Sequence, residues 1–234
     1  DFVDEHRGRP VRGIGEPVWA ARSPAALEEC HRHEALLNLA FAEDPDFQLL
    51  CPYDAGSLPS HVLERIVLSH RHPDQTGGSH ERVESDHRFD AFAGQLPPPA
   101  VTPDTLDFGL AERAGLDATA VADLITATSE LAANSIMHGG GSGTLRLWQD
   151  GATLLVEVED RGLIEEPLVG RLRPDITQEG GRGLWLANQL CDLVQIRSGV
   201  QGTVVRLHMQ VGESAPVLER LGAGIGRWAE HSSA

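Results

Sequence analysis

Helix-type and strand-type hydrophobic patterns alternate along the first part of the chain. Gly8–Trp19 is predicted to be a short extended segment, and Phe47–Cys51 a buried strand that ends at Pro52. Helices are predicted to begin at Ser23-Pro24 and at Pro59-Ser60, because an N-cap serine or a first-turn proline precedes apolar residues at helical spacing. The apolar face of the first helix is expected to contain Leu27, Cys30, Leu36, Leu37, Leu39 and Ala40. This strand, helix, strand, helix order predicts an α/β arrangement of layers.

A polar, histidine-rich and then proline-rich stretch separates this part from the next and ends in Leu96-Pro-Pro-Pro-Ala100. We predict that residues 73–100 are a linker whose proline run is extended and semi-rigid, so that it separates residues 1–72 from residues 101–211. Residues 212–234 are predicted to be a C-terminal tail.

Residues 101–211 have the pattern of a helix layer on a mixed, largely antiparallel sheet. The predicted strands are Thr105–Phe108, Gly143–Trp148, Thr153–Glu159, Val194–Ser198 and Thr203–Met209. The predicted helices are a short one at Ala111–Ala114, a long one capped by Asp117, and one from Gly183 to Leu193. The predicted fold is therefore a two-layer helix-on-mixed-sheet sandwich, preceded by a partial α/β domain.

Composition narrows the function classes. The net charge of −16 argues against a nucleic-acid surface, because binding to phosphate backbones requires concentrated Lys and Arg. No apolar run approaches the roughly 18 residues that a membrane-spanning helix needs, so no membrane partner is expected. The three cysteines lack metal-ligand spacing, and buried thiols in a reducing cytoplasm are the expected interpretation.

Glu130 and Asn134 are the most informative pair of residues, because they put a carboxylate and an amide one helical turn apart on the same helix face. Such a pair can orient a water molecule and hold a hard cation. The alternative, that both residues lie on a solvated helix face, has similar weight when the pair is considered alone.

Three further motifs follow in order, and each suits a nucleotide. They are Asp160-Arg161-Gly162 after an apolar strand, Gly180–Leu184 before a helix, and Gly202-Thr203 on the last strand. Backbone N–H groups and the helix dipole at a glycine-rich helix start favour phosphate. Each motif has an ordinary alternative, such as a plain Asp-Arg-Gly turn, so the order of the set carries the argument.

The ordered set resembles the GHKL family of ATP-binding domains over residues 100–210, and the anti-sigma-factor serine kinases more than the sensor histidine kinases. The resemblance implies the GHKL (Bergerat) fold, with ATP and Mg²⁺ as cofactors. It also implies that Asn134 binds the Mg²⁺ that bridges the phosphates and that Glu130 is the catalytic general base. Asp160 would accept a hydrogen bond from the adenine amine, and Gly162 would let the backbone approach the ring.

The remaining cofactor-binding residues that the resemblance implies surround these. Gly181, Arg182, Gly183 and Leu184 would lie at the phosphates, and Thr203 would support the adenine-binding aspartate through its hydroxyl group. His138, one turn after Asn134, would either touch the phosphates or pack beside the glycines that follow it.

Residues 1–72 resemble the C-terminal half of the MEDS sensory domain, which precedes such ATPase domains in actinobacterial regulators. The matching segments are Gly13-Ile-Gly-Glu-Pro-Val-Trp19, His33-Glu-Ala-Leu-Leu-Asn38 and Leu50-Cys-Pro-Tyr-Asp54. The resemblance therefore implies a partial sensory domain whose sheet is incomplete.

Together, the resemblances imply a cytoplasmic ATP-binding regulatory protein that transfers the ATP γ-phosphoryl group to Ser or Thr of an antagonist protein in transcriptional signalling. A sigma factor or an anti-sigma antagonist is the expected partner, and a homodimer is compatible with the resemblance. Ile164 stands where the family has a second glycine, and residues 104–116 look abbreviated. These departures favour the alternative of a nucleotide-responsive module that sequesters a partner without catalysis. A third interpretation is a scaffold with a degenerate pocket.

Overall fold

The computed structural model describes residues 6, 8–15, 18–42, 46–69, 92–100, 109–174 and 181–212. The chain divides into two compact units, of which the first is Asp1–Ala91 with Gly222–Ala234 and the second is Phe92–Leu221. None of the described helices is long and apolar enough to cross a membrane.

The first unit contains a parallel strand pair and two helices in the predicted alternating order. Strand β1 (Val11–Ile14) pairs with β2 (Phe47–Leu50), and helices α1 (Pro24–Ala40) and α2 (Ser60–Ser69) follow each strand in turn. The side-chain oxygen of Ser23 accepts a hydrogen bond from the Ala26 N–H at 3.2 Å, so the predicted N-cap of α1 is confirmed.

Among the described residues of this unit, a buried apolar cluster contains Val18, Cys30, Leu58, Val62 and Ile66. Two positions that were predicted to be buried are not. Leu39 of α1 is 42% exposed and Leu50 of β2 is 63% exposed. The prediction that β2 is buried is wrong, because its residues alternate between half-buried and exposed. Among the described residues β2 pairs only with β1, so no described strand covers its other edge.

The second unit contains three described helices, namely α3 (Gly109–Ala114), α4 (Ala118–Met137) and α5 (Gly183–Leu190). The Asp117 carboxylate accepts a hydrogen bond from the Ala120 N–H at 2.8 Å, which confirms the predicted cap of the long helix. Helix α5 ends at Leu190 and not at Leu193 as predicted, because Cys191 has an extended backbone and Leu193 already begins a strand.

A four-stranded antiparallel sheet forms the second layer. Its strands are β3 (Gly143–Asp150), β4 (Thr153–Asp160), β5 (Leu193–Gly199) and β6 (Gly202–Gln210), in the spatial order β3-β4-β6-β5. All strand pairs described in this four-stranded sheet are antiparallel, and the strand predicted at Thr105–Phe108 lies outside the described residues. Helices on a sheet of this kind confirm the predicted two-layer fold.

The two faces of this sheet differ chemically. Leu154, Val156 and Val158 of β4 are buried on the face that also carries Asp160, since alternate residues of a strand share a face. On the opposite face, Arg206 of β6 is paired with Glu157 of β4, with 2.6 Å between Nη2 and Oε2. The helix face therefore has an apolar floor that ends at the Asp160 carboxylate.

The proline-rich run that was predicted to be a spacer is attached to this second unit. The Ser198 N–H of β5 donates a hydrogen bond to the Phe92 carbonyl at 3.2 Å, and Arg206 Nη1 donates to the Pro97 carbonyl at 3.0 Å. Phe92 itself is buried. Residues 92–100 are thus fixed to β5 and β6 rather than lying apart from them.

Candidate functional site

Helix α4 carries the residues around which the site is built. Glu130 and Asn134 lie one turn apart and are both half-buried, as their spacing predicts. His138 is the C-cap of the helix, and its N–H donates to the Asn134 carbonyl at 2.7 Å while its side chain is exposed. The described contacts therefore use the His138 backbone, and they do not direct its imidazole into a contact with the other candidate residues.

The start of helix α5 packs directly against Glu130 and Asn134. A Cβ atom placed on Gly183 would lie 2.9 Å from Asn134 Nδ2 and 3.0 Å from Glu130 Oε2. The missing side chain at Gly183 therefore leaves room for the ends of the Glu130 and Asn134 side chains in their present positions. Gly183 is therefore the residue that brings the helix start to the carboxylate and the amide.

The other predicted residues at this helix start have different surroundings. Gly181 has a positive φ of 74° and Arg182 is the N-cap of α5, and both are exposed. Leu184 is buried, and a Cβ placed on Gly170 would lie 2.7 Å from its Cβ. Gly181 and Arg182 thus border the site at the helix start, whereas Leu184 packs behind it.

Asp160, at the end of β4, has a carboxylate that is held from two sides. Its Oδ1 accepts a hydrogen bond from the Gly162 N–H at 2.8 Å, and its Oδ2 accepts one from the Ser135 hydroxyl of α4 at 2.6 Å. A Cβ on Gly139 would lie 2.4 Å from the Asp160 Cγ, so the glycine that follows α4 leaves room for this carboxylate. The carboxylate is therefore oriented, and it is connected to the same helix that carries Asn134.

Gly162 is also needed for a close approach. A Cβ at this position would lie 2.8 Å from the His138 carbonyl oxygen and 3.0 Å from the Gly139 Cα. The Arg161 N–H donates to the Gly139 carbonyl at 3.2 Å. The turn after β4 and the turn after α4 are therefore packed backbone to backbone.

The described contacts of Thr203 differ from those that its predicted role implies. Its hydroxyl donates to the Gly162 carbonyl at 2.8 Å and shares a hydrogen bond of 2.7 Å with the Ser198 hydroxyl. The Ser198 oxygen in turn accepts from the Ile164 N–H at 2.8 Å. Thr203 thus supports the turn that follows Asp160, and the hydroxyl that reaches the carboxylate comes from Ser135 instead.

The structure therefore forms two adjoining clusters on α4. One contains Glu130, Asn134 and Gly183, and the other contains Asp160 with the residues that hold it. Roles for Ser135, Gly139 and Ser198 in the site were not predicted from the sequence. Ser135 and Gly139 lie in or beside the run that contains Asn134, but their contact with Asp160 spans more than twenty residues and depends on the sheet register.

Comparisons with known proteins agree with this architecture. Residues 1–71 match the family model of the MEDS domain, described as MEthanogen/methylotroph, DcmR Sensory domain. Residues 107–209 match the family model of the histidine kinase-like ATPase domain. The chain thus carries a MEDS domain followed by a histidine kinase-like ATPase domain, which confirms both predicted resemblances at this level.

A search of solved structures found similarity to the histidine kinase domain from Erythrobacter litoralis EL346 blue-light activated histidine kinase. The identity is 24% and the TM-score is 0.29, over 40% of this chain and 45% of that chain. This chain therefore covers less than half of the solved chain. The search of the curated proteins found no match.

Proposed function

We propose that this protein is an ATP-dependent regulatory kinase of the anti-sigma-factor type. In this proposal residues 101–211 bind ATP with Mg²⁺ and transfer its γ-phosphoryl group to Ser or Thr of a small antagonist protein. Residues 1–72 are the sensory region that modulates this activity. The partners are cytoplasmic proteins of transcriptional signalling, a sigma factor or its antagonist, and the protein acts without contacting DNA.

The observation that supports this proposal most is the arrangement of groups along α4. Glu130 and Asn134 face the start of α5, whereas Ser135 orients Asp160 at the end of β4. With a rise of about 1.5 Å per residue, Glu130 and Ser135 are about 7.5 Å apart along the helix axis. The Glu130 carboxylate, proposed for proton transfer, thus lies at one end of this short segment of α4. The Asp160 carboxylate, proposed for base recognition, contacts its other end.

The donor atoms present suit a magnesium nucleotide. Asn134 turns its Nδ2 toward Gly183, so its carbonyl oxygen, which is the atom that Mg²⁺ prefers, is on the other side of the amide. When bound, Mg²⁺ would neutralise the charge that develops on the phosphates. Glu130 would accept the proton of the attacking hydroxyl group. The exposed Gly181 and Arg182 at the start of α5 would hold the phosphates through N–H groups and charge.

The test is phosphoryl transfer by the full chain to candidate antagonist proteins from its own organism. The expected product is acid-stable phosphate on Ser or Thr, whereas phosphohistidine is acid-labile. Glu130→Gln should lower transfer by about 100-fold or more, the range expected for loss of a general base, and leave ATP affinity within about threefold. Glu112→Gln, the same change at an exposed position of α3, is the matched control and should transfer at the wild-type rate. Transfer by Glu130→Gln at the wild-type rate would contradict the proposed role of Glu130.

The alternative function is a module that binds the nucleotide and sequesters a partner without turnover. One observation favours this alternative. Ile164 stands where the family has glycine, and its N–H donates a hydrogen bond to the Ser198 hydroxyl of β5, which fixes this position to the sheet. Helix α3, which covers six of the described residues, also favours it. Titration calorimetry with ATP and Mg²⁺ followed by a phosphate-release assay separates the two functions. Binding without release or transfer would support sequestration.

A further inference from the structure

The Ser135 hydroxyl makes a contact that an ordinary helix serine does not make. Its oxygen lies 3.1 Å from the Leu131 carbonyl of its own helix and 2.6 Å from the Asp160 carboxylate of β4. A hydroxyl has one hydrogen, and it donates preferentially to the nearer and charged acceptor. Ser135 is only 2% exposed, so water does not compete for this hydrogen bond.

The surroundings keep both partners of this hydrogen bond in place. A Cβ on Gly143 would lie 3.1 Å from the Ser135 Cβ and 3.3 Å from its Oγ, so the missing side chain at the first residue of β3 leaves room for the serine. The carboxylate fills the space that a side chain on Gly139 would take. The Gly162 N–H occupies one lone pair of Oδ1 at 2.8 Å. Among the described residues, each carboxylate oxygen thus has one donor, which leaves a lone pair on each oxygen for a ligand.

We propose that Ser135 is a positioning residue that turns the Asp160 carboxylate so that its free lone pair selects a purine with an amino group at position 6. This inference rests on the proposed binding of ATP. A carboxylate already held by two donors presents only acceptors to the base. It therefore accepts from the 6-amino group of adenine and repels the 6-oxo group of hypoxanthine. Without Ser135 the carboxylate can rotate, and the discrimination between the two bases decreases.

The test compares three nucleoside triphosphates by titration calorimetry with Mg²⁺. They are ATP, inosine triphosphate, and purine riboside triphosphate, which has hydrogen in place of the 6-amino group. Ser135→Ala should weaken ATP binding by about five- to tenfold, as expected for the loss of an orienting hydrogen bond to a charged group. Its affinity for purine riboside triphosphate should remain within about twofold of wild type, because that ligand gives Asp160 nothing to accept.

Ser129→Ala is the matched control, because Ser129 is on the same helix and donates to the Ile125 carbonyl at 2.8 Å but is exposed. It should bind all three nucleotides like the wild-type protein. Ser135→Cys, which has nearly the same shape and a weak S–H donor, should show the same pattern as the alanine variant and replaces it if that variant does not fold.

Equal weakening of ATP and purine riboside triphosphate by both Ser135 variants would overturn the inference, since a purely structural role affects every ligand. Unchanged ATP affinity in Ser135→Ala would also overturn it. In both of these results the wild-type protein binds ATP, so the proposed function stands. If the wild-type protein binds none of the three nucleotides, the proposed function is contradicted and this inference is overturned with it.

Discussion

Replacing Gly183 with alanine should separate the stability of the ATPase domain from its nucleotide binding. The added Cβ would lie 2.9 Å from Asn134 Nδ2, 3.0 Å from Glu130 Oε2 and 3.2 Å from Glu130 Cβ. The first two of these atoms are the ends of flexible side chains, which can rotate away at a cost of about 0.5–1.5 kcal/mol. Alanine loses less conformational entropy than glycine on folding, which offsets part of that cost. The free energy of unfolding should therefore stay within about 1 kcal/mol of wild type.

Nucleotide binding should respond differently, because the two side chains that move are the proposed metal ligand and general base. We expect the Kd for ATP with Mg²⁺ to rise by about tenfold and phosphoryl transfer to fall by about 100-fold, the loss associated with a displacement of 1 Å. Urea unfolding measures the first quantity, and titration calorimetry with a transfer assay measures the others.

Gly199→Ala is the matched control for this experiment. Gly199 is also in the second unit, and a Cβ at this position meets no atom within 4 Å. This variant should bind ATP like the wild-type protein. If Gly183→Ala also binds ATP and transfers phosphate like the wild-type protein, then Glu130 and Asn134 do not form part of the nucleotide site.

Three further predictions concern the frame that supports the site. Gly202→Ala should lower the free energy of unfolding by about 3 kcal/mol, because Gly202 has φ of 119° and a Cβ would lie 2.1 Å from the Asp160 backbone oxygen. Arg206→Met should lower it by about 3 kcal/mol, because it leaves the buried Glu157 carboxylate with one fewer partner. Burial and the nearby Arg206 lower the pKa of His208 to about 4, so stability should decrease as the pH falls from about 6.5 toward about 4.

Urea unfolding measures all three effects. Gly202→Ala should also bind ATP more weakly. A urea unfolding midpoint equal to that of the wild-type protein would show that the turn after β4 is not packed as described. For Arg206→Met, adding Glu157→Leu should recover most of the loss, whereas no recovery would contradict the ion-pair explanation. For His208, the folded state excludes a proton that the unfolded state binds. The contribution of His208 to the free energy of unfolding of the wild-type protein should therefore fall by about 2 kcal/mol between pH 7.5 and pH 5. The free energy of unfolding of His208→Gln should fall by less over the same pH range. An equal fall would contradict the assignment of this pH dependence to His208.

Local features of the second unit could be predicted from the sequence. Asp117 caps α4 as expected because capping depends on residues within one turn, and the hairpin of β3 and β4 follows from its alternating strands and short turn. The pairing of Glu130 with Asn134 on one face needs only the helical period. These features involve neighbours in the chain, so their residue types alone indicate them.

Contacts between distant segments could not be predicted in this way. The hydrogen bond of Ser135 to Asp160 and that of Thr203 to Gly162 depend on how far β4 and β6 are shifted against α4. Helical spacing placed Leu39 on an apolar face, but its exposure depends on which element lies opposite. A proline run has the composition of a linker whether or not a distant arginine such as Arg206 binds its carbonyl groups.

A crystal structure of the full chain with Mg²⁺ and a non-hydrolysable ATP analogue tests the central claim most directly. We predict that the adenine 6-amino group donates to the Asp160 carboxylate while Ser135 still holds its Oδ2. We also predict that Mg²⁺ binds the Asn134 side-chain oxygen, with the phosphates at the start of α5. Adenine bound away from Asp160, or phosphates bound away from Asn134, would contradict the account.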